Sequence, residues 1–315
     1  MKWPLRDRPI PYSQVPHYNR YYLYAPAASN GDSSLIMGTE IDADALQSFL
    51  HERNRNGRVL ITTAHALVRA TAMALVQFPE MNVRVLGRRI YAFRDVNVRI
   101  AFFHRQNGET GILLVNRADG KSLEQIGREI WQRLLQAGRG EGSQDRDLAR
   151  MRRVPGFWLR PILYLYALLD RHFRLPSLGR LDELRGGCAT VNDLSFSGAP
   201  PMRSYKPSRF PDESDSLNLT LGPIEDRVVA RSDRFVSARL MPLFVRGDHR
   251  LVDAYQLGRF LAAVRNLLNH PERLDLLPDQ ATATEAHSEP AVALAPDRAS
   301  SLQANSCAEA SRPLR

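Results

Sequence analysis

The hydrophobic and polar positions of this chain change period repeatedly along its length. Ser34 to Ile41 alternates in the way a half-buried strand does, and Asp42 stands where it can cap a helix over Ala43 to Arg53, which Gly57 stops. Thr62 or Thr63 caps a second helix running to about Val76 and ending before Pro79. Val83 to Phe103 predicts paired strands with a turn at Gly87, and Asn107-Gly108 predicts a tight turn before a strand over Ile112 to Val115. Ser122-Leu123-Glu124-Gln125 has the spacing of a capping box, and the helix behind it puts Leu123, Ile126, Ile130 and Leu134 on one face. Strands follow over Leu217 to Thr220, Arg227 to Ala230 and Val236 to Val245, then an amphipathic helix over Leu257 to Leu268. Strands mixed with helices in this order predict an α/β fold.

Three stretches fall outside that pattern. Residues 1–33 are rich in Pro, Tyr and Arg and read as an extended arm able to cross a neighbouring subunit. Residues 279–315 are rich in Ala, Ser, Pro and Glu without periodicity, the composition of a disordered tail. Between them, residues 34–278 form the domain. It carries an inserted segment over 143–185 in which Phe157 to Leu169 is strongly apolar, with arginines on either side. That run predicts a core or oligomer-contact helix; the wall of an acyl-binding tunnel and a peripheral membrane contact are the other readings.

Composition narrows the classes. With 315 residues, 43% of them hydrophobic, the chain has material for one large core plus tails. Cys188 and Cys307 lie far apart, one in a buried-strand pattern and one in the polar tail, so a reducing, cytoplasmic setting is expected. Met1 to Arg20 lacks a signal-peptide pattern, and no run reaches the roughly 18 apolar residues of a membrane span. The net charge of +9 suits acidic partners such as CoA phosphates or an acidic carrier protein. Lys and Arg are scattered, without the basic-aromatic repeats of a nucleic-acid binder. No Cys/His spacing predicts a metal site, and no Gly-rich phosphate loop is present.

The residues with chemistry to offer converge on Asp248-His249-Arg250-Leu251-Val252-Asp253. A histidine four residues before a carboxylate, between a β-like run and a helix, is a seat for a general base, because imidazole titrates nearest working pH. The run continues with Gly258-Arg259-Phe260-Leu261 and Leu267-Leu268-Asn269-His270-Pro271-Glu272. Upstream stand Ala70-Thr71-Ala72-Met73-Ala74-Leu75 with Phe78-Pro79-Glu80-Met81-Asn82, then Gly111 to Val115 with Ser122-Leu123. Gly186-Gly187-Cys188-Ala189-Thr190-Val191-Asn192-Asp193-Leu194 and Leu221-Gly222-Pro223-Ile224-Glu225-Asp226 complete the series. In that order, over about Ser34 to Pro278, these segments resemble the catalytic domain of the dihydrolipoyl acyltransferases of 2-oxoacid dehydrogenase complexes. Chloramphenicol acetyltransferases and condensation domains share that fold but often place a second histidine directly before the catalytic one. Asp248 occupies that position here, which favours the dihydrolipoyl branch.

The resemblance implies a two-layer sandwich of the chloramphenicol acetyltransferase type, a mixed β-sheet with helices packed on one side. It implies a homotrimer with the active site between subunits. It also implies acyl transfer from a CoA, pantetheine or lipoyl thioester to a thiol, hydroxyl or amine, with no permanently bound cofactor. His249 takes the role of base. Asp253 fixes the loop, through an arginine. Asn192 stands where the family has its oxyanion-binding serine, with Thr190 in reserve; Asp248, Arg250 and Ser195 line the substrate. Ala254 and Ser195 replace family glycines, so a divergent, stand-alone member serving biosynthesis is expected. A catalytically inactive trimeric scaffold and a carrier-protein-dependent condensation enzyme are the alternative readings.

Overall fold

The computed structural model describes residues 7–14, 34–86, 89–104, 109–139, 155, 157–158, 161–162, 164–165, 168, 186–198, 200, 216–231 and 234–276. The Gly87 and Asn107-Gly108 turns, most of the arm and the tail over 279–315 lie outside them. Ten strands and four α-helices are described: β1 (Asp7–Pro9), β2 (Ser34–Asp42), α1 (Ala43–Asn56), α2 (Thr63–Gln77), β3 (Val83–Leu86), β4 (Arg89–Phe93), β5 (Val98–His104), β6 (Glu109–Val115), α3 (Leu123–Gly138), β7 (Ala189–Asp193), β8 (Leu217–Leu221), β9 (Glu225–Arg231), β10 (Arg234–Asp248) and α4 (Ala254–Asn269).

Seven strands form the main sheet in the order β2-β10-β8-β7-β5-β6, with β9 beside the first half of β10; β1, β4 and β3 make a small second sheet. The main sheet is mixed, as expected. β7 runs parallel to both β5 and β8, while β10 is antiparallel to β2, β8 and β9. β10 is longer than the predicted Val236–Val245 run, at 15 residues. Its two ends are drawn into the sheet by backbone pairing, with Arg234 opposite Arg231 and Asp248 opposite Ser34.

Strand periodicity sorts the side chains. Val98, Ile100, Ala189, Val191, Leu217, Leu219, Leu221, Leu243 and Val245 are buried on the face toward α2 and α4. The helices complete the core. α2 is buried nearly all round, as befits a central helix, while α3 buries only Leu123, Ile126, Gly127, Ile130 and Ala137. The predicted caps hold: Asp42 accepts from Asp44 N at 3.0 Å, and Ser122 and Gln125 close a reciprocal box at 3.2 and 2.9 Å. A charge penetrates the helical layer of the core. Arg69, fully buried on α2, donates to the carbonyls of Leu274, Leu276, Ala118 and Asp119, binding both the turn after β6 and the C-terminal segment to α2. A buried cation is tolerated where carbonyls replace its water.

The apolar run of the insertion departs from the core-helix expectation. Phe157, Trp158, Ile162, Tyr164, Leu165 and Leu168 are helical and all exposed.

The parallel β5–β7 pairing depends on a close approach. Asn97 Nδ2 donates to Gly186 O at 2.7 Å, and its Oδ1 accepts from Arg117 N at 2.8 Å. A Cβ on Gly187 would lie 2.3 Å from the Asn97 carbonyl oxygen, which is backbone and cannot turn aside. Gly187→Ala is therefore expected to lower unfolding free energy by about 1–3 kcal/mol or more in urea titrations. Gly120→Ala, whose Cβ would meet nothing within 4 Å, should stay within about 0.5 kcal/mol of the parent.

Candidate active site

β10 ends in the turn that carries His249. Asp248, buried at the last position of the strand, accepts from Leu251 N and Val252 N through its carbonyl at 2.8 and 3.1 Å. Its carboxylate accepts from Arg250 N at 2.9 Å and grips the Arg250 guanidinium, with Nε at 3.0 and 3.1 Å from the two oxygens and Nη2 at 2.6 Å. Both members of the pair thus shape the turn. The turn packs closely on its own strand. A Cβ on Gly247 would lie 2.9 Å from Val252 Cγ2 and 3.1 Å from the Leu257 methyls.

His249 is half-buried, and its Nδ1 lies 2.9 Å from Val252 O. A carbonyl only accepts, so Nδ1 carries the proton and the neutral ring's lone pair sits on Nε2. Tautomer and ring orientation are both set by one local bond. Asp253 does not act through an arginine among the described residues; it is the N-cap of α4, accepting from Gln256 N at 2.7 Å while Gln256 Oε1 accepts from Asp253 N at 3.3 Å. The effect on the loop is the one expected, reached by a helix end. Ala254, the first residue of α4, has no positive φ, so its side chain introduces no backbone strain.

Thr190 and Asn192 lie on the sheet face away from α2 and α4. Strand register places Thr190 and Asn192 of β7 beside Asn218 and Thr220 of β8, then Phe244 and Arg246 of β10. Thr190, Asn218, Thr220 and Arg246 are buried, and Asn192 is half-buried. Asn192 Nδ2 donates to Asn218 Oδ1 at 3.0 Å. Asn218 and Thr220 were missed by motif reading, although the alternation Leu217-Asn218-Leu219-Thr220-Leu221 marks one polar and one apolar face. Ser195 lies past the end of β7. Its N–H donates to Asp193 Oδ1 at 2.9 Å and its hydroxyl is 3.0 Å from Thr63 Oγ1, which also donates to the Asp193 carboxylate. This cluster ties β7 to the start of α2.

His249 and Asn192 are not brought together within one chain. Asn192 is level with Thr220 and Phe244, and β10 runs four residues beyond Phe244, about 13 Å, before the turn that carries His249. Among the described residues no group of three His, Cys, Asp or Glu side chains is arranged to hold a metal. No described helix is long and apolar enough to cross a membrane.

A mixed sheet covered by helices on one face, with a histidine of fixed tautomer on the turn between its long central strand and the last helix, places the chain in the fold class of acyltransferase cores. The cubic core of the pyruvate dehydrogenase multienzyme complex superposes with a TM-score of 0.58 at 16% identity, covering 82% of this chain and 88% of that one. Azotobacter vinelandii dihydrolipoamide acetyltransferase gives a TM-score of 0.57 at 16% identity, with the same coverages. The chain belongs to the family of 2-oxoacid dehydrogenases acyltransferase (catalytic domain), whose model matches residues 28–150 and 179–276. Component 3 of the mitochondrial pyruvate dehydrogenase complex of Arabidopsis thaliana, a dihydrolipoyllysine-residue acetyltransferase, is 27% identical over 269 residues, 84% of this chain and 42% of its own length. The chain spans about two-fifths of the curated relatives it matches.

Two expectations follow. Asp253→Ala removes the α4 cap and should lower stability by about 1 kcal/mol in urea, whereas Asp253→Asn keeps an accepting oxygen and should lose much less. His65, in the first turn of α2, is buried at 3% exposure; its Nδ1 accepts from Thr62 N at 2.9 Å, and burial lowers its pKa from 6.5 to about 4. The unfolded chain therefore takes up this proton first. The stability from neutral His65 is complete above pH 6.5 and is lost as pH falls toward 4, by up to about 3 kcal/mol. His65→Gln, which can still reach back to the Thr62 N–H, should flatten that slope in denaturation series across this range.

Proposed function

We propose that this protein is an acyltransferase that moves an acyl group from a CoA or carrier thioester to a thiol, hydroxyl or amine acceptor, with His249 as general base. The observation that carries the reading is the Nδ1 contact of His249 with Val252 O, which leaves the lone pair on Nε2 of a ring held in place by its own turn. Nε2 takes the acceptor's proton as the acceptor attacks the thioester carbonyl. The C–S bond then breaks, and the proton passes from imidazolium to the departing thiolate. The Azotobacter study concerns a serine, a histidine and an asparagine in that enzyme's catalytic mechanism, the last two four positions apart; His249 and Asp253 have the same spacing.

The tetrahedral intermediate needs a donor for its oxyanion. Asn192 has two N–H bonds; Nδ2 lies 3.0 Å from Asn218 Oδ1 and 3.5 Å from Thr220 Oγ1, and in our reading the N–H that makes the longer contact turns to the oxyanion. One reacting carbonyl must lie within about 3 Å of both donor and base, and the offset of about 13 Å along β10 between the level of Asn192 and the His249 turn favours donor and base from different chains. The site is then composite, with His249 from one subunit and Asn192 from its neighbour, and the assembly is a ring. A homotrimer is the arrangement we favour. CoA or a phosphopantetheine or lipoyl arm enters as substrate, and the net charge of +9 favours these acidic donors.

Complementation tests the whole reading. His249→Ala and Asn192→Ala should each lower thiol release from an acyl-CoA panel, the latter by about 10²–10³-fold in kcat. Dissociating the two variants and reassembling them together should restore activity at about a quarter of the sites, since each site then draws its two groups independently. Equal turnover by His249→Ala and the parent would end the proposal. Activity lost in both variants but never recovered on mixing would end the composite site.

A further inference from the structure

We propose that the inserted segment docks this protein on an anionic lipid surface. At 100° per residue, Phe157, Trp158, Ile162, Tyr164, Leu165 and Leu168 fall within an arc of about 160°. All six are exposed, from 42% at Leu168 to 74% at Phe157. This is an apolar helix face turned to solvent, a costly arrangement unless something covers it.

The surroundings in the sequence identify the cover. Residues 146–174 hold seven arginines (146, 150, 152, 153, 160, 171 and 174) and only two aspartates (147 and 170), so the apolar run is flanked in the sequence by basic residues. A second copy of the segment would set arginines against arginines in either orientation, which disfavours self-association. The family model passes from residue 150 to 179, so the face is no part of what this chain shares with the family's cores. A protein partner would ask for about one hydrogen bond per 100–200 Å² of contact, and the described residues of this face offer the Trp158 indole and the Tyr164 hydroxyl. Those are the two side chains that settle at a lipid headgroup boundary, with apolar rings inward and polar tips outward. Arginines around them meet lipid phosphates. Fully helical, the run Phe157 to Leu169 would reach about 20 Å, short of the roughly 30 Å of a bilayer core, so it would lie in the interface and not cross it. The inference is independent of the proposed catalytic role, since none of these residues belongs to the candidate site.

The test uses the full chain with phosphatidylcholine vesicles, with and without phosphatidylglycerol. The protein should sediment with the phosphatidylglycerol vesicles at least about ten-fold more than with the neutral ones. Binding should shift tryptophan emission to the blue, and Trp158→Phe should remove the shift while Trp3 and Trp131 remain. Tyr164→Glu with Leu165→Glu should abolish sedimentation while leaving circular dichroism, subunit number and thioester turnover in solution unchanged. Failure of the parent to bind phosphatidylglycerol vesicles, or equal binding by the double variant, would overturn the inference. A changed subunit number in the double variant would instead assign the face to a second copy, and saturable binding of an acyl carrier protein without vesicle binding would assign it to a carrier.

Discussion

The pairing of β10 governs the candidate site. Its second half lies between β2 and β8, hydrogen-bonded on both sides, and its first half carries β9. A strand held this way cannot slip without exchanging its faces. Leu243, Val245 and Gly247 must look toward the helices; Phe244, Arg246 and Asp248 must look the other way. Register thus decides that Asp248 ends the strand buried, and a buried carboxylate requires a partner. Arg250 supplies it two residues on, closing the chain into a turn that leaves His249 between them. Buried ion pairs contribute modestly to stability once desolvation is counted, but they specify geometry well, and a general base needs geometry before anything else.

The same sheet explains why the polar machinery is divided. One face is hydrocarbon beneath α2 and α4, while the other buries Thr190, Asn218, Thr220, Arg99 and Arg246. Polar groups at that depth are stable only when they bond to one another, and the Asn192–Asn218 contact is one such bond. Asn192 is fixed at one level of the sheet and His249 at another, with rigid strands between them. Motion within the chain cannot close a gap of that kind without breaking the ladder, so the chemistry we propose is tied to assembly.

Much of this was legible in the sequence because periodicity and caps act locally. The Ser122–Gln125 box, the Asp42 cap and the strand over Ser34 to Ile41 report interactions within a few residues, and the structure contains each. The Asp-His-Arg-x-x-Asp spacing located the turn for the same reason. What remained hidden depended on which of several partners a side chain takes and on packing. Asp253 reads as a carboxylate in search of a cation, yet the nearest unsatisfied donors are the N–H groups of the helix it starts. In the sequence Gly187 is one of a Gly-Gly pair, and only the approach of Asn97, 90 positions earlier, shows it to be a steric requirement. The exposure of Phe157 and its neighbours was illegible because apolarity is the same signal whether a helix enters a core or faces outward; the two are separated by packing, which periodicity does not encode.

The departures from the family pattern acquire physical meaning at their places in the fold. Glycine would be needed at residue 254 for a left-handed backbone, but the first turn of α4 asks for an ordinary helical one, which alanine favours. That substitution therefore leaves the His249 turn intact. Ser195 is likewise absorbed: its hydroxyl joins Thr63 and Asp193 in fastening the end of β7 to α2. Asn192 is different in kind. An amide in place of a hydroxyl keeps a donor but adds length, and its anchorage to Asn218 sets which way the remaining N–H can point. Of the three changes it alone falls on a group to which our proposal gives contact with the reacting atoms. Divergence in this chain is then expected to show in the shape of the acyl group and acceptor it admits, with the proton-transfer step at His249 left as the resemblance implies.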